Sequence, residues 1–223
     1  THLLPATQAY HEIWLDQEKI ADVKEEIEPI YGATYLPRKF KIAVAVPPHN
    51  DVDINGNDLS FVAIVKDGEL AGYDVLVGGG MGCSHSTPGT YPQIAKNLGF
   101  ITPDQICPIA EAVVTTQRDN GNRTDRKQAR LKYTVDRMGV DLFKAEVEKR
   151  SGITFAPEEP YTFTMHSDRF GWTENANGTS NLTLFIEHGR ITDKPDGPQM
   201  LQGLLQIADL HGGDFRRPPP HHL

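Results

Sequence analysis

The sequence predicts an α+β fold, with a largely antiparallel sheet and helices packed on it. Three features carry that expectation: a run of apolar, β-branched segments between residues 40 and 77, three helical stretches between 105 and 151, and a strand region and a helix after a proline-rich connector. The 223 residues suffice for one large domain or two small ones with a real core. The net charge of −8 and pI of about 5.5 argue against a general attraction to nucleic acid. No run of eighteen apolar residues predicts a membrane span, and the start THLLPATQAYHEIW lacks the basic and apolar regions of a signal peptide. It also lacks an initiator Met, so a fragment is expected. Cys83 and Cys107 form no CxxC pair, and a reduced, cytoplasmic protein is expected.

Taken in order, residues 10–28 (YHEIWLDQEKIADVKEEIE) are polar and acidic and read as partly helical, ended by Pro29 and Gly32. FKIAVAV, residues 40–46, reads as a strand stopped by Pro47-Pro48. LSFVAIVKDG and ELAGYDVLVGGG follow as strands joined by a turn at Asp67-Gly68, giving a meander. TYPQIAKNLG, residues 90–99, reads as a short helix. Asp104 opens a longer one in which Ile106, Ile109, Ala110, Val113 and Val114 recur at helical spacing, and Asn120-Gly121-Asn122 breaks it. Thr124 is placed to cap DRKQARLKYTVDRM, which Gly139 closes. Asp141 caps LFKAEVEKRS, closed by Gly152. FAPEEPY marks a boundary near residue 157. Beyond it, LTLFIEHGRITD turns at His188-Gly189, and residues 198–211 are helical.

The charges are unevenly spread. Between Arg118 and Lys132 lie six cations (Arg118, Arg123, Arg126, Lys127, Arg130, Lys132) against Asp119 and Asp125 alone. On a helix Arg123, Arg126 and Arg130 share one face. Arginine forks bind carboxylates and phosphates bidentately, and a helix start after Asn122 adds backbone N–H groups. The alternative is a solvated basic face. A second cluster, Arg38, Lys39 and Lys41, opens the strand Ile42–Val46. Lys39 and Lys41 share one side of an extended chain. Such cations either point into a cleft or guard a strand edge against mispairing. Gly78-Gly79-Gly80-Met81-Gly82 lacks the spacing of a nucleotide loop and fits a tight turn or a close backbone approach to a planar ligand. The histidines show no metal-ligand spacing, and no GxSxG is present. The basic run lacks interleaved aromatics, which argues against a nucleic-acid module.

The stretches AYHEIWLD, YLPRKFKIAVAVPPHNDVD, FVAIVKDGELAGYDVLVGGG, AEAVVTTQRDNGNRTDRKQARLKYTVDRMGVDLFKAEVEKR and DRFGWTE together resemble the sulfite and nitrite reductase family, and within it the assimilatory hemoproteins that form the β-subunit of NADPH-sulfite reductase. The resemblance runs from about residue 8 to Phe215. It implies siroheme, coupled in the family to a four-iron four-sulfur cluster; a flavoprotein electron donor; and reduction of sulfite to sulfide. It implies that Lys39 and Lys41 bind sulfite and handle protons, and that Arg38 and Arg130 pair with siroheme carboxylates. Thr115, Gln117, Arg118, Asn122, Arg123 and Arg126 are expected to line the same pocket.

It further implies four regions: a linker or helical segment over 1–34, a siroheme-binding module over 35–156, the start of a second ferredoxin-like repeat over 157–215, and a tail, 216–223, that departs from the family like a frameshift or expression scar. The cluster cysteines of the family do not match Cys83 or Cys107. The chain alone is therefore expected to bind no cluster and to be inactive, with a non-catalytic scaffold or a nitrite reductase fragment as alternatives.

Overall fold

In a computed structural model, residues 2–5, 12–22, 28–175 and 177–215 are described. Two units are delimited, Thr1–His166 and Ser167–Leu223.

The first unit begins with a hairpin, β1 (Glu12–Leu15) and β2 (Glu18–Asp22). The helix expected over residues 10–28 is thus overturned where the chain is described, while residues 10, 11 and 23–27 lie outside the described residues. Asp16 and Gln17, with φ of 49° and 68°, take the left-handed pair of conformations that closes a two-residue hairpin. Strand pairing overrides the helix-forming acids flanking the turn.

The central sheet has the order β3-β4-β5-β6, formed by Ile42–Ala45, Leu59–Lys66, Glu69–Val77 and Lys96–Ile101. β3 runs parallel to β4, and the other pairings are antiparallel. Asp67 and Gly68, at φ 53° and 82°, make the expected turn between β4 and β5. The short helix expected over residues 90–99 is instead the approach to β6. Two features decide this. The Asn97 side chain donates to buried Asp74 at 3.1 Å and accepts from the Gly99 N–H at 2.8 Å. Gly99 sits at φ 123°, with a hypothetical Cβ only 2.3 Å from the Ala156 carbonyl oxygen. No local propensity predicts a pairing made across the sheet.

Helix α1 (Ile106–Asn120) follows a turn whose Thr102 and Gln105 form a reciprocal capping box. Helices α2 (Leu131–Met138) and α3 (Val140–Ser151) end at Gly139 and Gly152, as expected. The expected helix start near Thr124 is corrected to Leu131. The Asn122 side-chain Oδ1 accepts from the Thr124 N–H, the Thr124 hydroxyl and the Asp125 N–H, all at 3.0 Å, and the Asp125 carboxylate accepts from the Lys127 N–H. These local side-chain bonds hold the segment in turns rather than a helix. Arg123, Arg126 and Arg130 consequently do not share a helix face.

Alternation puts Leu59, Phe61, Val75 and Val77 on one face of the sheet. They pack there against Ile109, Val113, Leu131, Val135, Phe143 and Val147 of the three helices. The opposite face presents Ala45, Val62 and Leu76 to Ile54, Ala95, Tyr161 and Phe163. Both faces of β4 are therefore covered, which explains its nearly unbroken apolar run.

Asp74 lies on that second face, fully buried, and its carboxylate also accepts from the Glu159 N–H at 3.2 Å. Burial raises its pKa; the Asn97 and Glu159 bonds oppose the rise, and Glu158 and Glu159 add to it. With the folded value above the unfolded one, the folded state binds more protons through this window, and its stability falls as pH rises from about 4. Asp74→Asn, whose amide oxygen can still accept from Glu159, is expected to be at least as stable as the parent at pH 7. The gap should close toward pH 4 in thermal melts. A variant markedly less stable at pH 7 would contradict this.

In the second unit, β7 (Gly171–Glu174) pairs antiparallel with β8 (Ser180–Thr183), and α4 spans Met200–Leu210. The expected turn at His188-Gly189 is a single 3₁₀ turn rather than a hairpin turn, because β8 ends at Thr183 and pairs with the strand before it. The tail 216–223 lies outside the described residues.

Candidate functional site

The approach to β3 is laid against the end of α1. Arg118 donates from Nη1 to the Ile30 carbonyl at 2.5 Å. Arg123 donates to the carbonyls of Thr34 at 3.1 Å, Arg118 at 3.0 Å, and Tyr35. Gly121 meets Pro37 so closely that a Cβ would stand 2.5 Å from the proline ring. These contacts deliver Arg38, Lys39 and Lys41 to the mouth of the sheet beside the segment 126–130.

The centre of that mouth is Asp58, 0% exposed, just before β4. Arg130 grips its carboxylate bidentately, with Nε to Oδ1 at 3.0 Å and Nη2 to Oδ2 at 2.8 Å. The Lys41 N–H donates to Oδ2 at 2.9 Å, and the Asp58 carbonyl accepts from the Gly78 N–H at 2.9 Å. One residue thus joins β3 and the segment before α2 through its carboxylate, and the glycine loop through its main-chain carbonyl. Burial, Lys39 and Arg130 lower the pKa of the Lys41 ammonium, against an upward pull from Asp58 and Asp53. Arg38, Lys39 and Arg126 have no hydrogen bond or ion pair among the described residues, and neither does Nη1 of Arg130.

Below this mouth lies Lys132, 1% exposed. Its ammonium donates to the carbonyls of Gly80 at 3.1 Å, Gly82 at 2.8 Å, and Tyr91, and it lies 5.7 and 5.0 Å from the ring centres of Tyr91 and Tyr133. Burial lowers its pKa. The glycine loop makes its close approach to its own chain. A Cβ on Gly79 would stand 2.3 Å from the Asn55 carbonyl oxygen.

The other residues named from the sequence are placed elsewhere or engaged within the fold. Thr115 bonds back to Glu111 and Ala112 and lines a small hollow with Pro108, Arg150 and Ser151. Gln117 is buried; its Nε2 donates to the Ala129 carbonyl at 2.9 Å, while Oε1 has no hydrogen-bond partner among the described residues. Arg118 pairs with Asp119, and those bonds hold the Asp119 carboxyl down at about 2, with help from Arg150 at 2.7 Å. Asn122 organises its own loop. The groups brought together are Lys39, Lys41 and Arg130 around Asp58; Arg38 precedes them in the chain, and Arg126 lies on the turn before α2. Asp58 and Lys132 carry no sequence signal for their roles. Asp58 is one of several acids in a turn-rich stretch, and Lys132 sits inside a basic run that reads as solvated.

This fold and this basic mouth define a class. Residues 1–155 match the nitrite and sulphite reductase 4Fe-4S domain family, and the chain belongs to it. The solved NirA protein of Mycobacterium tuberculosis has the same fold at a TM-score of 0.54 and 26% identity, covering 65% of this chain and 26% of that one. More particularly, the chain is 57% identical to the sulfite reductase [NADPH] hemoprotein beta-component of Anoxybacillus flavithermus over 96% of its length. It is 54% identical over its whole length to the protein of that name from Geobacillus kaustophilus. The chain spans 38% and 39% of those relatives.

Two groups implied by the family fit this chain differently. The described residues contain no grouping of three or more His, Cys, Asp or Glu able to hold a metal. Cys83 and Cys107 are exposed and cannot supply the four thiolates of a cluster. The donor set therefore does not fit the iron-sulfur cluster. The cations of the mouth, among which Arg38, Lys39 and Arg126 have no hydrogen bond or ion pair among the described residues, do fit the carboxylates of a siroheme and a small oxyanion. No helix among the described residues is long and apolar enough to cross a membrane.

Proposed function

We propose that this chain is the siroheme- and sulfite-binding portion of a sulfite reductase hemoprotein, a cytoplasmic enzyme supplied with electrons by an NADPH flavoprotein partner. The observation that carries the reading is that the Arg130 guanidinium and the Lys41 main chain meet at buried Asp58, with Lys39 and Arg130 near enough to the Lys41 ammonium to lower its pKa. In an acidic chain this is a local basin of positive charge, partly withdrawn from water, where attraction to an anion is stronger than on an open surface.

Arg38 and the free edge of Arg130 hold ring carboxylates, and Arg126 extends that rim. Lys39 and Lys41 hold the sulfite oxygens. The lowered pKa of Lys41 brings its Nζ proton nearer to transfer at neutral pH, which suits a donor to oxygens leaving as water. Siroheme, when bound, supplies the redox chemistry. Gln117, Arg118, Asn122 and Arg123 hold the approach to β3 and the turn before α2 in place, one step behind the ligand. Thr115 belongs to this reading only as part of α1.

A second reading, a scaffold fragment that keeps the fold without cofactor, draws on the missing thiolates. Anaerobic loading of the purified chain with siroheme separates the two. The expected outcome is a retained siroheme absorption spectrum, no acid-labile sulfide, and background sulfite turnover by the chain alone. A colourless protein after loading would support the scaffold, and stoichiometric acid-labile sulfide would refute the absence of a cluster.

A further inference from the structure

We infer that Asp58 is the positioning residue of the anion site: by gripping Arg130 bidentately while holding the Lys41 main chain beside it, it sets the plane in which the Arg130 guanidinium meets the ligand. The inference rests on the anion-binding reading above.

Around a site meant for anions, a fully buried carboxylate is counterproductive unless it does something else, since its charge opposes the ligand's. Its geometry shows what that is. Both oxygens are used, Oδ1 by Arg130 Nε and Oδ2 by Arg130 Nη2 and the Lys41 N–H. The fork leaves Nη1 as the one guanidinium nitrogen without a hydrogen bond to Asp58, in a plane set by the two bonds. Without Asp58, Arg130 would have to be ordered by the ligand, and the entropy of fixing its rotamers would be lost from binding. Asp58 also moderates the mutual repulsion of Lys39, Lys41 and Arg130, the charged groups around the Lys41 ammonium together with Asp53.

The test uses the whole chain, with uroporphyrin I, an eight-carboxylate macrocycle, as the probe and its fluorescence anisotropy as the readout. Asp58→Asn is expected to weaken binding about tenfold in the parent, and less than twofold in an Arg130→Gln background, because it acts through Arg130. Arg130→Lys keeps the charge but not the fork; about a tenfold loss is expected there too. This arm does not depend on Asp58→Asn folding. The alkaline limb of binding should move to lower pH in Asp58→Asn, since Asp58 no longer supports the Lys41 charge. Equal losses in both Arg130 backgrounds, an unmoved alkaline limb, or undiminished binding by Arg130→Lys would overturn the inference while leaving the site reading intact. No binding by the parent chain would overturn the site reading, and the inference with it.

Discussion

Lys132→Ala is expected to lower the thermal midpoint of the chain by roughly 6–12 °C, from a loss of about 3 kcal/mol. The side chain is almost completely buried, and its ammonium is the hydrogen-bond donor to the Gly82 and Tyr91 carbonyls. Gly80 keeps a second partner, because its carbonyl also accepts from the Gln93 N–H at 2.9 Å. Truncation therefore takes the donor from two part-buried carbonyls, at the low end of about 1–3 kcal/mol each because water reaches them, and opens a void the length of a lysine stem. The charge itself is costly to bury, so part of that loss is recovered when it is removed. Lys132→Met separates the contributions. It refills the stem without the donor, and should recover the packing part of the loss but not the hydrogen-bond part. Calorimetric melts of the three proteins check this. A parent-like midpoint in Lys132→Ala would mean that the glycine loop is held by other contacts.

Lys39→Ala and Lys41→Ala, each placed in a full-length hemoprotein carrying this segment, are expected to reduce sulfite turnover by about 10²–10³-fold, the usual cost of removing a donor from a developing oxyanion. The two lysines should differ in how they fail. Lys39 is exposed and has no partner among the described residues, so its role is charge, and Lys39→Arg should recover much of the activity. Lys41 has its pKa lowered by burial, Lys39 and Arg130. Lys41→Arg keeps a cation that does not give up its proton, so KM should stay near the parent value while kcat falls. Steady-state kinetics with sulfite decide between these outcomes. Parent-like turnover in either alanine variant would remove that lysine from the proposed chemistry.

Much of the sheet was legible because its signals are local. β4 and β5 alternate or run apolar according to which faces are covered, and Asp67-Gly68 has the chemistry of the turn it forms. α1 shows helical periodicity, and Gly139 and Gly152 close α2 and α3 where expected. The failures have distinct causes. β6 reads as helical from composition, yet its Asn97 and Gly99 are committed to Asp74 and Ala156, distant in sequence. The β1–β2 hairpin lies in acid-rich sequence that favours a helix in isolation. At residues 122–128 the competition is local, but Asn122 and Asp125 satisfy backbone donors well enough to delay the helix to Leu131.

Residue types and spacing alone determined the α+β class, the strands around Asp67-Gly68, and the presence of two cationic segments in an acidic chain. Only the tertiary structure decided which of those cations are available. Arg118 and Arg123 are used on the carbonyls of residues 30–35, Lys132 is buried under the glycine loop, and Lys41 and Arg130 meet at Asp58. The reason is physical. A charge in a sequence has a sign but no surroundings, and what it does depends on the burial and partners that the fold supplies.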